Sequence, residues 1–248
     1  MERFAESLAT ALNAAGIPCV LWGQYLLQVH GASTIVCAID FVIPDESLEA
    51  AKEVIKTGHF SIPVYACADT MTCLSGNSPG RTHPHPSIHM HMDLGTTQSV
   101  GLYVQSETLW FLPPLSATLA SPKTNPLPPY FALASDRTAL PTDEMTTGRG
   151  IFNSDETVVI VPKAHTMTEA LMRIMARDNG KTVGGNSVPH FCYIFFFIER
   201  RGILDINLLP ESLKKFYEEF RDGPAAIGQI EIKLKRALGI PVPLRFYH

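Results

Sequence analysis

Four of the nine histidines fall within nine residues, at His83, His85, His89 and His91. His89 and His91 alternate with Ile88, Met90, Met92 and Leu94, and Asp93 continues the polar side. A strand over 88–94 therefore sets His89, His91 and Asp93 on one face. Two imidazoles and a carboxylate at i, i+2 and i+4 form a donor set for Zn²⁺, Mn²⁺ or Fe²⁺, which accept nitrogen ligands more readily than Mg²⁺ does. The competing reading is a half-exposed strand whose histidines are satisfied by water or neighbours. Asp40 is the second residue of this kind, the one charged group in the β-branched, apolar stretch 34–43. A carboxylate there is costly to bury without a metal, a basic partner or a helix to cap. Lys163 and His165, at the end of an apolar stretch and ahead of a helix, stand where a ligand could reach them.

The elements that must position these groups follow from periodicity. Phe4, Leu8, Ala11, Leu12 and Ala15 repeat at helical spacing and Gly16 follows, which predicts a helix over 2–15. Residues 19–22 read as a short strand closing on Gly23, 24–30 as one or two helical turns, and 34–43 as a buried strand stopped by Pro44-Asp45. A helix over 47–57, strands at 64–66 and 100–104, and a long polar loop over 69–86 complete the first part. Seven of the 19 prolines lie in 113–141, which reads as irregular. Beyond it come a strand over 157–161 and a helix headed by Thr166-Met167-Thr168-Glu169, with capping-box spacing and Leu171, Ile174 and Met175 turned inward. Helices over 189–201, 211–221 and 225–238 close the chain, the first carrying Tyr193, Phe195, Phe196 and Phe197 as core. Trp22 and Trp110 also read as core. The divisions expected are an α/β core over 1–112, an irregular connector over 113–147 and a mainly helical part over 148–248.

The order helix, strand, Gly23, short helix, then a strand bearing Asp40 resembles the nucleotidyltransferase fold, in particular the minimal nucleotidyltransferases of antitoxin and abortive-infection type and their fungal relatives. The stretches that carry the resemblance are 16–24 (Gly-Ile-Pro-Cys-Val-Leu-Trp-Gly-Gln) and 38–43 (Ala-Ile-Asp-Phe-Val-Ile), and it covers about the first 100 residues. It implies a mixed sheet flanked by helices. It also implies that Gly23 and Gln24 face nucleotide phosphates and that Asp40, with Asp93 as the further carboxylate, holds Mg²⁺ or Mn²⁺ and serves catalysis. The sequence departs from that pattern at Ala38, where the family has the first of two carboxylates, and at Gln24, where it has Ser or Gly. His89 and His91 are the replacement metal ligands this suggests, with Zn²⁺ admitted if they bind.

Other chemistry finds less support. Gly180-Lys181-Thr182 lacks the first glycine of a phosphate-binding loop, since position 175 is Met, and no Gly-x-Ser-x-Gly elbow occurs. Cys19, Cys37, Cys67, Cys73 and Cys192 include no Cys-x-x-Cys pair and read as reduced, mostly buried thiols. With 248 residues, 46% hydrophobic, and a net charge of −4, the chain can bury a core and has no dense basic tract for nucleic acid or anionic membrane. The longest apolar run, 191–198, is too short to span a bilayer, and no secretory leader is visible, so a cytoplasmic setting is expected. The sequence thus points to metal-assisted nucleotidyl transfer from a nucleoside triphosphate to a small-molecule acceptor. The alternative keeps the fold without that activity, either binding a ligand or partner or using the His-rich face on a small metabolite.

Overall fold

The computed structural model describes residues 1–67, 73, 84–93, 98–142, 149–153, 156–178, 192–223 and 227–242. Helix α1 (Glu2–Ala14) buries Phe4, Ala5, Leu8, Ala9 and Leu12 along one stripe. Strand β1 (Val20–Trp22) then turns at Gly23, φ +71°, directly into α2 (Gly23–Val29), a conformation that a side chain would strain. Strand β2 (Ala38–Ile43) is buried at every position, as its nearly unbroken apolar sequence requires. Helix α3 (Leu48–Thr57) leads to β3 (Val64–Ala66), and β4 (Ile88–Met92) returns beside it. Next come β5 (Ser99–Val104), the single turn α4 (Gln105–Thr108), β6 (Phe131–Leu133) and β7 (Ile160–Pro162). Helices α5 (Ala164–Asp178), α6 (Glu211–Asp222) and α7 (Ile227–Ala237) complete the chain.

The strands form one mixed sheet in the order β3-β4-β5-β2-β1-β7-β6, flanked by helices, in agreement with the α/β class expected. β1 pairs antiparallel with β2 and parallel with β7, while β2 pairs parallel with β5. The sheet therefore draws strands from all three sequence segments, with β6 inside 113–147 and β7 inside 148–248.

Several expectations need correction. The strand expected over 34–43 begins only at Ala38, because the Cys37 N–H is taken by the Gln24 side chain, 3.2 Å away, and Ile35 is 81% exposed. The proline-rich connector is not wholly irregular: Phe131 and Ala132 are buried as β6 by pairing with β7. β7 itself lies at 160–162, later than the 157–161 expected, although the Val159 carbonyl already accepts from Ala134 N–H at 2.8 Å. The Thr166–Glu169 capping box is not used. Helix α5 begins two residues earlier, at Ala164, the Thr166 hydroxyl donates to the Tyr130 carbonyl, and Glu169 pairs with Arg173. Trp110 is 37% exposed, with the Arg177 guanidinium 4.6 Å over its ring, rather than core. The aromatic run is likewise one-sided: in the π-helical turn Ile194–Glu199, Ile194 and Ile198 are buried, whereas Phe196 is 50% exposed beneath Arg200. Most of the loop over 69–86, together with His83, Leu94, 180–182, 189–191 and 225–226, lies outside the described residues.

Candidate metal centre

Register builds the site. His91 pairs with Ser99 and His89 with Gly101 across β4 and β5, and Tyr65 pairs with His91 across β3 and β4. Residues paired across a ladder share a face, so His89 and His91 stand on one side of the sheet and Met90 and Met92 on the other, the latter two buried in the core. Carrying the β3–β4 register two residues further sets Cys67 across from His89. Cys73 stands beside them, its Sγ 3.4 Å from His91 Nε2. One donor atom from each of Cys67, Cys73, His89 and His91 lies within 4.8 Å of all the others.

Tetrahedral donors at zinc–ligand distances of 2.0–2.3 Å stand about 3.3–3.8 Å apart, so a small contraction of this set encloses an ion. Two thiolates and two imidazoles suit Zn²⁺ and suit Mg²⁺ poorly. The rings are already set: His89 and His91 meet edge to face with centroids 5.7 Å apart, and Tyr65 stacks on His91 at 5.4 Å. His89 is buried and the other three donors are half-buried, so the centre sits just under the surface at the β3 edge of the sheet. A cavity of about 500 Å³ opens beside it, lined by Cys67 and His89 together with Lys52, Glu49 and His85. That volume lies within the range of small-molecule pockets.

The Asp40 row runs through the same face. Trp22, Asp40, Gly101 and His89 are paired in succession across β1, β2, β5 and β4, and Ala38, Ser99 and His91 form the next row. Asp40 is 1% exposed, and a Cβ added to Gly23 would stand 2.7 Å from its Oδ2, so the carboxylate lies against the strand-to-helix turn. The Gln24 side chain is engaged with Cys37 N–H. Asp93 is exposed beyond the end of β4, its N–H bonded to the Pro63 carbonyl. With strands about 4.8 Å apart and about 3.3 Å per residue, Asp40 and Asp93 are separated by about 10 Å across the sheet and about 13 Å along it. The fold thus brings His89 and His91 together, sets Asp40 in their face two strands away, and leaves Asp93 outside the donor group.

Cys67 and Cys73 are the donors that spacing rules missed, since five residues separate them and no Cys-x-x-Cys marks them. The available signal was that Cys67 directly follows the 64–66 strand and Cys73 lies in the polar stretch that precedes the histidine strand. None of the cysteines is in a disulfide, only Cys19 is fully buried, and burial pushes its thiol up to about 12. Cys37, Cys67 and Cys73 are half-buried and Cys192 is exposed, which corrects the expectation of mostly buried thiols. No protein-family model, curated protein or solved structure matches the chain.

Proposed function

We propose that this is a zinc-dependent, small-molecule-binding protein in which Cys67, Cys73, His89 and His91 hold one Zn²⁺ and the adjoining cavity receives the ligand. The observation that carries this reading is the convergence of four donor atoms of the right chemistry within 4.8 Å. Four protein donors close a tetrahedral shell, so the ion organises its surroundings rather than activating a water. It ties the exit of β3, the loop residue Cys73 and the face of β4 into one unit, and thereby shapes the wall of the cavity that Cys67 and His89 share with Lys52. Metal analysis of the purified chain tests this. One equivalent of zinc, lost in Cys73→Ser and in His91→Ala, with thiolate charge-transfer bands on cobalt substitution, is the expected result. Substoichiometric zinc that is unchanged in both variants overturns it.

A second reading, metal-assisted nucleotidyl transfer to a small acceptor, is favoured by the buried Asp40 carboxylate against Gly23, the place the resemblance assigns to metal and phosphate. It expects Mg²⁺-dependent thermal stabilisation by a nucleoside triphosphate, abolished in Asp40→Asn. Ligand at 100 times its Kd adds about 2.7 kcal/mol, an easily measured shift.

A further inference from the structure

A second cavity, of about 620 Å³, lies at the head of α5, distant in sequence from the metal centre and lined by different residues. Its polar wall is Tyr130, Lys163, His165, Thr166, Glu169 and Asp205. Leu112, Ala139, Ile203 and Leu208 supply an apolar wall.

The carboxylates of this cavity are already engaged. Glu169 accepts from Arg173 at 2.7–2.8 Å, and Asp205 Oδ1 accepts from the N–H of Asn207 at 2.9 Å and from its Nδ2 at 3.0 Å. The cation is not: among the described residues the Lys163 ammonium makes no hydrogen bond or ion pair. The His165 ring, half-buried, has no hydrogen-bond partner among them either. The Lys163 backbone is fixed nonetheless, because its N–H donates to the Tyr130 carbonyl at 3.0 Å, the same carbonyl that takes the Thr166 hydroxyl at 3.1 Å. The cavity therefore has a fixed floor, an ammonium that makes no direct ion pair although its charge is felt by Asp136 nearby, an imidazole with no hydrogen-bond partner among the described residues, and an apolar side. The N–H groups of the first turn of the fifteen-residue α5, which have no intrahelical acceptor, add to the same polarity.

From this combination we infer that the cavity binds a small organic molecule through an oxyanion, phosphate or carboxylate, held by Lys163 and His165, with its apolar body against Leu112, Ile203 and Leu208. Burial, then the charge of Lys163, lowers the His165 pKa, while Asp205 raises it. The His165 imidazole is thereby kept a neutral hydrogen-bonding partner beside the Lys163 side chain. Thr138 and Ala139 of the connector line the same cavity, so the ligand would hold the connector to α5.

Calorimetric titration with phenyl phosphate, benzoate and phenol tests the assignment. The expected result is saturable binding of phenyl phosphate or benzoate, whichever headgroup fits, at least about tenfold tighter than phenol. Lys163→Gln should weaken it by about tenfold or more, Lys163→Arg should retain most of it, and Lys52→Gln, at the other cavity, should leave it unchanged. Thermal melts of each variant confirm that Lys163, a half-buried surface group, has been replaced without loss of the fold. Equal affinity for phenol, undiminished binding in Lys163→Gln, or no saturation by any probe at millimolar concentration overturns the inference. Zinc content does not enter the readout, so failure here and failure of the zinc reading are separable.

Discussion

Cysteine and histidine bind a metal as thiolate and neutral imidazole, forms that protons compete for, so a zinc ion held as proposed by Cys67, Cys73, His89 and His91 would be released by acid. Tyr65 has a different part, since its ring stacks on His91 and would hold that imidazole's orientation without itself offering a donor to the proposed metal. Tyr65→Ala is therefore expected to lower zinc affinity by about tenfold while leaving the stoichiometry at one, read by competition with a chromophoric chelator. His30 likewise favours its neutral form, here through burial rather than a metal. It is fully buried, with Nε2 2.9 Å from the Pro162 carbonyl, and burial first of all holds its pKa down at about 4 from an ordinary value of 6.5. The unfolded chain takes up this proton before the folded one does, so the contribution to stability is complete above pH 6.5 and is lost as pH falls toward 4. Urea melts should show a loss on the order of 3 kcal/mol over that window, and His30→Gln, which keeps a donor for Pro162, should flatten the dependence.

At the scale of elements, the turn from β1 into α2 and the β3–β4 edge are the two places where small changes have defined consequences. Gly23 combines φ +71° with an Asp40 oxygen 2.7 Å from where a Cβ would stand, so Gly23→Ala meets backbone strain and a clash together. A destabilisation of about 1–3 kcal/mol is expected, and Asp40→Ala in the same chain should recover the part due to the clash but not the strain. A double-mutant cycle in denaturant measures that split. The edge hairpin answers to metal instead. β3 is three residues long and pairs on one side only, so under the proposed zinc reading its order would lean on ties through Cys67, Cys73 and His91. Chelation is expected to speed amide exchange in β3 and β4 selectively, with α1 and β1 unaffected. Uniform exchange before and after chelation would count against a structural ion.

For the molecule as a whole, the parallel pairing of β1 with β7 is decisive, because it places a strand from the third sequence segment against one from the first. A fragment of residues 1–112 lacks β6 and β7 and exposes the edge of β1, whose Val20, Leu21 and Trp22 are at most 1% exposed in the full chain. It is expected to associate or remain poorly structured, by size-exclusion chromatography and near-ultraviolet circular dichroism. Much of this architecture was legible locally. The stripe of α1, the alternation of β4 and the apolar runs of β1 and β2 are patterns imposed by burial on neighbouring residues. Helices α6 and α7 were legible for the same reason. Strand β6 was not, because three residues among prolines form a strand only when β7 supplies the partner. Trp110 and Phe196 stand outside the core because an aromatic ring can be covered by a guanidinium instead; Arg177 is far from Trp110 in sequence, and Arg200, four residues after Phe196, sits at a helical spacing that does not by itself say which side of the helix faces inward. The candidate centre divides in the same way. Alternation alone put His89 and His91 on one face and singled out Asp40 as a buried charge. The tertiary structure, through the β3–β4 register and the position of Cys73, brought Cys67 and Cys73 to those histidines and left Asp93 outside. Periodicity reports which side of an element faces inward; which distant elements meet is decided by the pairing of strands, and donor sets depend on that meeting.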